Sequence, residues 1–132
     1  LNARAAMVTR FETLAPNDSL ARAAELLLAS HQHDFPVIDA WGRVAGVLQR
    51  SALLAGLAGE GRESAVLEFM DREPLAVPPE TPLEEVLRLL QARPLGPVLV
   101  VGEGGLEGMI TLENFGELIE ISQSLRRPRA DA

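Results

Sequence analysis

Apolar residues recur at spacings of three and four in two well-separated stretches of the chain. The first runs Leu20, Ala23, Ala24, Leu27, Leu28, and the second Leu83, Val86, Leu87, Leu90. This spacing lays one apolar stripe along each of two helices, a stripe meant for burial. Thr81-Pro82-Leu83-Glu84 opens the second helix, with Thr as cap, Pro at the first helical position and Glu three residues on. Asp18 takes the cap position of the first. After each helix come two short apolar runs, 35–39 and 44–48, then 97–101 and 106–110. Each pair is joined by a turn containing glycine (Trp41-Gly42-Arg43; Gly102-Glu103-Gly104-Gly105), which predicts two hairpins. Before each helix an extended piece, 13–15 or 75–77, ends at a proline that has no N–H for a ladder. A further helix, 50–57 or 112–125, closes each unit.

The two stretches are copies of one pattern. Met7-Val8-Thr9-Arg10 returns 63 residues later as Met70-Asp71-Arg72-Glu73. Phe35-Pro36-Val37-Ile38 returns after 61 as Gly96-Pro97-Val98-Leu99, and Gly46-Val47-Leu48 after 62 as Gly108-Met109-Ile110. Self-similarity in constant order is the mark of an internal repeat. The fold class expected is α/β (α+β): two pseudo-symmetric repeats, each a small mixed sheet with two helices. Neither unit buries much alone, so the two are expected to pack together through their helices. The divisions are 1–6 as a linker from an upstream domain, 7–59 as repeat one, 60–69 as a linker, 70–125 as repeat two and 126–132 as a tail. A start at Leu1 without an initiator Met fits a piece cut from something longer.

Composition narrows the chemistry. With 132 residues and 47% apolar content, the chain can bury a core without staples. It contains no Cys, which excludes disulfides, thiolate metal centres and a cysteine nucleophile. It contains no Lys either, so Schiff-base chemistry and a phosphate-loop lysine are excluded. A net charge of −7 opposes nucleic acid as a partner. No apolar run approaches the ~20 residues of a membrane-spanning helix.

The order of these elements, twice repeated over residues 7–122, resembles the CBS domain, and two in tandem resemble a CBS pair, or Bateman module. The segment Thr111-Leu112-Glu113-Asn114-Phe115-Gly116-Glu117-Leu118 is also similar to CBS pairs appended to site-2-protease-like membrane zinc metallopeptidases. The resemblance implies a cytoplasmic regulatory module of a larger bacterial protein, not itself an enzyme. It implies an adenine nucleotide (AMP, ADP or ATP) in the cleft between repeats. The site then comprises a Thr or Ser after the Gly-apolar-apolar strand, at a helix N-terminus where free N–H groups and the dipole favour phosphate, an Asp three residues on that accepts from the ribose hydroxyls, and backbone around the Pro-Val strand. In repeat two these positions hold Thr111, Asn114 and Gly96, Pro97, Val98. Asn114 accepts from one hydroxyl only, weaker than a carboxylate by roughly 1–2 kcal/mol. Repeat one has Gln49 and Ala52 in the two positions and offers ribose no clamp. The alternative is a ligand-free structural dimerisation module whose nucleotide sites have decayed.

The remaining candidates point to surfaces. His31-Gln32-His33 with Asp34 sits at a helix exit and reads as a solvated cluster able to make a pH-dependent contact. Trp41, the single Trp, stands in a turn, either touching another surface or folding back over its own sheet. Phe115, Leu118, Ile119 and Ile121 make the last helix apolar on more than one face, and CBS pairs associate as dimers through such helices. The expected partner is a second copy of the chain, with Phe115, Leu118, Ile119 and Trp41 at the interface. No serine has the setting of a catalytic triad, the glutamates read as solvated faces, and Arg126, Arg127 and Arg129 read as a solvated tail.

Overall fold

A computed structural model describes residues 1–93, 96–117 and 120. The elements are α1 (Ala3–Ala6), α2 (Leu20–Ala29), β1 (Asp34–Ile38), β2 (Val44–Gln49), α3 (Arg50–Gly59), a 3-10 turn (Val66–Glu68), β3 (Leu75–Val77), α4 (Leu83–Ala92), β4 (Val98–Gly102) and β5 (Gly105–Ile110). Residues 112–117 are helical; the rest of the helix expected over 112–125, apart from residue 120, and the 126–132 tail lie outside the described residues.

Both hairpins form as expected, β1 with β2 and β4 with β5, antiparallel. β3 adds to β4 in parallel, making a three-stranded sheet. Its counterpart in repeat one is a single parallel bridge from Leu14 to Val37, because only one residue there meets the ladder. The local start signals shift by a residue. Ser19, not Asp18, caps α2, its Oγ accepting from Arg22 N–H at 3.1 Å. Asp18 instead closes a turn by accepting from Ala15 N–H at 2.7 Å. Thr81 does not cap α4, which begins behind Pro82 without a side-chain cap. Its carbonyl accepts from Ala3 N–H at 2.8 Å. On α2 the buried stripe is Leu20, Ala23 and Leu26, while Leu28 points to water at 87% exposure.

The strands are apolar on both sides because two layers cover them. Phe35, Val37 and Leu48 face α2 and α3 in one core. Val98, Val100 and Ile110 face α1 and α4 in another. The alternate residues Val47, Leu99 and Met109 meet each other in a third cluster, which also takes in Phe11 and Val44. The repeats therefore pack sheet against sheet, with helices outside, and not through their helices as the amphipathic stripes suggested. Period-two alternation within the apolar runs carries that information, since successive side chains leave a strand on opposite faces.

The segment leading into each repeat packs on the other one. Val8 pairs with Met109 and Asp71 pairs with Val47, each through two backbone hydrogen bonds of 2.8–3.1 Å. Ala3, in the segment read from sequence as a linker, is fully buried among Val77, Val86 and Leu90. Likewise Val66 and Met70 enter the first core.

Candidate functional site

This exchange creates an open cleft of about 890 Å³, walled by residues 8–12, residues 30–34, and Met109 with residues 111–114. The strap 8–12 crosses from sheet to sheet and is tied at both ends. Val8 N–H donates to Met109 O at 2.9 Å, and Leu14 N–H donates to Pro36 O at 2.9 Å. Between them the Gln32 carboxamide acts like a short piece of strand. Its Oε1 accepts from Glu12 N–H at 2.8 Å, and its Nε2 donates to the carbonyls of Glu12 and Asp34, both at 2.8 Å. An amide supplies one acceptor and two donors, so all three bonds fit one side chain.

On the opposite wall Thr111 and Asn114 lie together, as the sequence motif requires. Asn114 N–H donates to Thr111 Oγ1 at 3.2 Å, an N-cap, and Thr111 Oγ1 donates to Asn114 Oδ1 at 2.7 Å. Both side chains border the cleft. Burial lifts the Asp34 carboxyl to a pKa of about 6, and the neighbouring charge of His33 pulls it the other way.

Gly96 and Pro97 are elsewhere. They line a second, closed space of only about 10 Å³ with Gln49, Asp71 and Arg93. There Arg93 Nη2 donates to Asp71 Oδ2 at 2.7 Å and Arg93 Nη1 donates to Glu73 O at 3.0 Å. A Cβ on Gly96 would stand 2.9 Å from Gln49 Nε2, so the Gln49 amide already presses on that backbone. Val98 is fully buried in the second core and borders neither space. The backbone opposite Thr111 is thus the 31–34 turn of repeat one, and Gly96-Pro97 occupies the corresponding place opposite Gln49. Reading each site within one repeat missed this, because the exchange between repeats is long-range. The signal that would have found it is the His31–Asp34 cluster itself, polar and placed just before the strand equivalent to Pro97–Val101.

Of the residues assigned to a dimer face, Trp41 is 79% exposed at the β1–β2 turn, with the Arg43 guanidinium 5.4 Å from its ring centre. It does not fold back over its sheet. Phe115 is 4% exposed and packs in the second core beside Ala3 and Val77, which removes it from any surface. Leu118 and Ile119 lie outside the described residues. Leu54 and Leu112 are exposed apolar side chains that the sequence reading passed over, at 43% and 44%.

In the open cleft, apolar walls from Val8, Phe11, Met109 and Leu112 face amides, hydroxyls and carboxylates, the lining expected of a small-molecule site. Among the described residues no group of His, Asp and Glu is placed to hold a metal ion, and none of their helices is long and apolar enough to cross a membrane.

A family model described as the CBS domain matches residues 3–59 and again 66–119. No curated protein matches the chain. Solved structures do. A candidate acetoin utilization protein, AcuB, from Vibrio cholerae superposes with a TM-score of 0.84 at 22% identity, covering 98% of each chain. CBSX2 in complex with AMP superposes at 0.80 with 27% identity, covering 96% of this chain and 98% of that one. The CBS domain pair of protein MJ0100, in complex with 5′-methylthioadenosine and S-adenosyl-L-methionine, superposes at 0.79 with 18% identity over 92% and 98%.

Proposed function

This chain belongs to the CBS domain family, as a tandem pair, and on that premise we propose that it is a cytoplasmic regulatory module that senses one adenosine-containing ligand per chain. The observation that carries the reading is the inequality of the two clefts. The one beside Thr111 and Asn114 is open to about 890 Å³. Among the described residues, the space beside Gln49 that Gly96 and Pro97 line is about 10 Å³ and is bordered by the Arg93–Asp71 ion pair. AMP, 5′-methylthioadenosine and S-adenosyl-L-methionine, the ligands of two structural neighbours, share the adenosine such a cleft would take. The Thr111–Leu118 likeness supports a membrane zinc metallopeptidase as the regulated parent, and a His-Glu-x-x-His motif in the upstream reading frame would bear that out.

Titration calorimetry with adenosine, AMP, ADP and ATP tests the reading, with a stoichiometry of one per chain expected. Asn114→Asp is expected to tighten adenosine binding about tenfold, since a carboxylate accepts from both ribose hydroxyls where the amide accepts from one. Two sites per chain, or an unchanged affinity in the variant, would sink the assignment.

A dimerisation module without a ligand is the second reading, and the exposed Leu54 and Leu112 favour association in either case. We expect light scattering at micromolar concentration to give twice the 14.2 kDa chain mass, and Leu54→Glu to halve it. A mass near that of one chain for the parent protein would count against the dimer. Absence of heat with every ligand beside a stable dimer would favour the second reading over the first.

A further inference from the structure

We infer that the open cleft discriminates against phosphate, so that its ligand is an adenosine derivative with one phosphate or none. The inference rests on the adenosine-binding reading above and is carried by the charges that surround the cleft. Among the described residues, Glu12, Asp34 and Glu113 border it, against a single guanidinium, Arg10. His31 and His33 also border it. No lysine exists in the chain to offset this. Other arginines are committed elsewhere: Arg4 faces Glu80 and Glu107, Arg43 faces Asp39 and lies over Trp41, and Arg93 holds Asp71 in the closed space. The whole chain carries −7, so the long-range field repeats the local sign. A di- or triphosphate entering this cleft meets more carboxylates than cations. A ribose and a base meet the hydroxyl, amides and apolar walls that suit them.

Calorimetry at pH 7.5 and low ionic strength tests this with adenosine, AMP, ADP and ATP as probes. Affinity is expected to fall with each phosphate, with ATP about tenfold or more weaker than adenosine. Adding salt should narrow the gap, because screening weakens repulsion, whereas phosphate held by cations would be released by salt. The Glu12→Gln, Glu113→Gln double variant should reduce the ratio of adenosine to ATP affinity by about tenfold. Glu12 engages Gln32 through its backbone, and Glu113 is exposed, so neither change removes a packing contact. Adenosine binding with ATP equally tight or tighter at low salt overturns the inference and leaves the adenosine reading standing. No binding of adenosine or of any nucleotide overturns both.

Discussion

Gly46→Ala is expected to destabilise the protein by about 2–3 kcal/mol, lowering Tm by roughly 10 °C. A Cβ at Gly46 would overlap the Asp71 carbonyl oxygen, and would stand 3.0 Å from Met70 Sδ. The obstacle is backbone, not the end of a flexible side chain. The Asp71 backbone is itself fixed by two hydrogen bonds to Val47, at 2.8 and 3.0 Å. Relief therefore requires opening the bridge that docks the second repeat's leading segment on the first sheet. Because Asp71 also receives Arg93 in the closed space, the same movement should loosen that ion pair. Gly59→Ala serves as the control. It lies at the end of α3 with nothing within 4 Å of its Cβ position, and the helix propensity of Ala should raise stability by up to about 1 kcal/mol. Thermal unfolding of the two variants beside the parent checks the contrast. A Gly46→Ala protein as stable as the parent would mean that the Asp71 bridge is not a fixed part of the fold.

That bridge also explains what could and could not be read in the chain. Helices α2 and α4 and the two hairpins were legible because each is specified by neighbours a few residues away, and duplication let each copy check the other. The recurrence of Gly46-Val47-Leu48 as Gly108-Met109-Ile110 was visible, but its reason was not. Both glycines leave room for a methionine, Met70 or Met7, arriving from the opposite repeat. Such a contact depends on how the repeats sit together, which no local pattern encodes. The caps failed for a related reason: Thr81 has the right chemistry for a cap, but its carbonyl is engaged by the α1 backbone and the residue is buried. At the cleft, Thr111 and Asn114 stood out because they sit three apart on one turn. The strap 8–12 did not, and the 31–34 turn stood out only as a polar cluster and not as the wall opposite Thr111, because both come from about eighty to one hundred residues away along the sequence, in the other repeat.

Asp34→Asn is expected to raise stability at pH 7.5 by about 1–2 kcal/mol while changing little at pH 3.5. In the folded protein burial lifts this carboxyl from 3.8 to about 6, so the folded state resists its ionisation and the unfolded state does not. Between those two values the folded chain keeps a proton that the unfolded chain has lost, and stability falls as pH rises through the interval. A shift of this size in a fully enclosed group would be worth about 3 kcal/mol; Asp34 is only half-buried, and water reaching it trims the effect to about 1–2 kcal/mol. Asn keeps nearly the same shape without a charge to desolvate, so the variant should lose this part of the pH dependence. Urea midpoints measured from pH 3.5 to 7.5 for both proteins check it. A difference of the same size at both ends, or a parent more stable than the variant at pH 7.5, would show that desolvation does not govern the site. Asp34 stands on the wall of the open cleft, and a carboxylate that costs stability there accords with the proposed ligand site. The same variant should accordingly narrow the preference for adenosine over ATP, by removing one of the three negative charges that face the ligand.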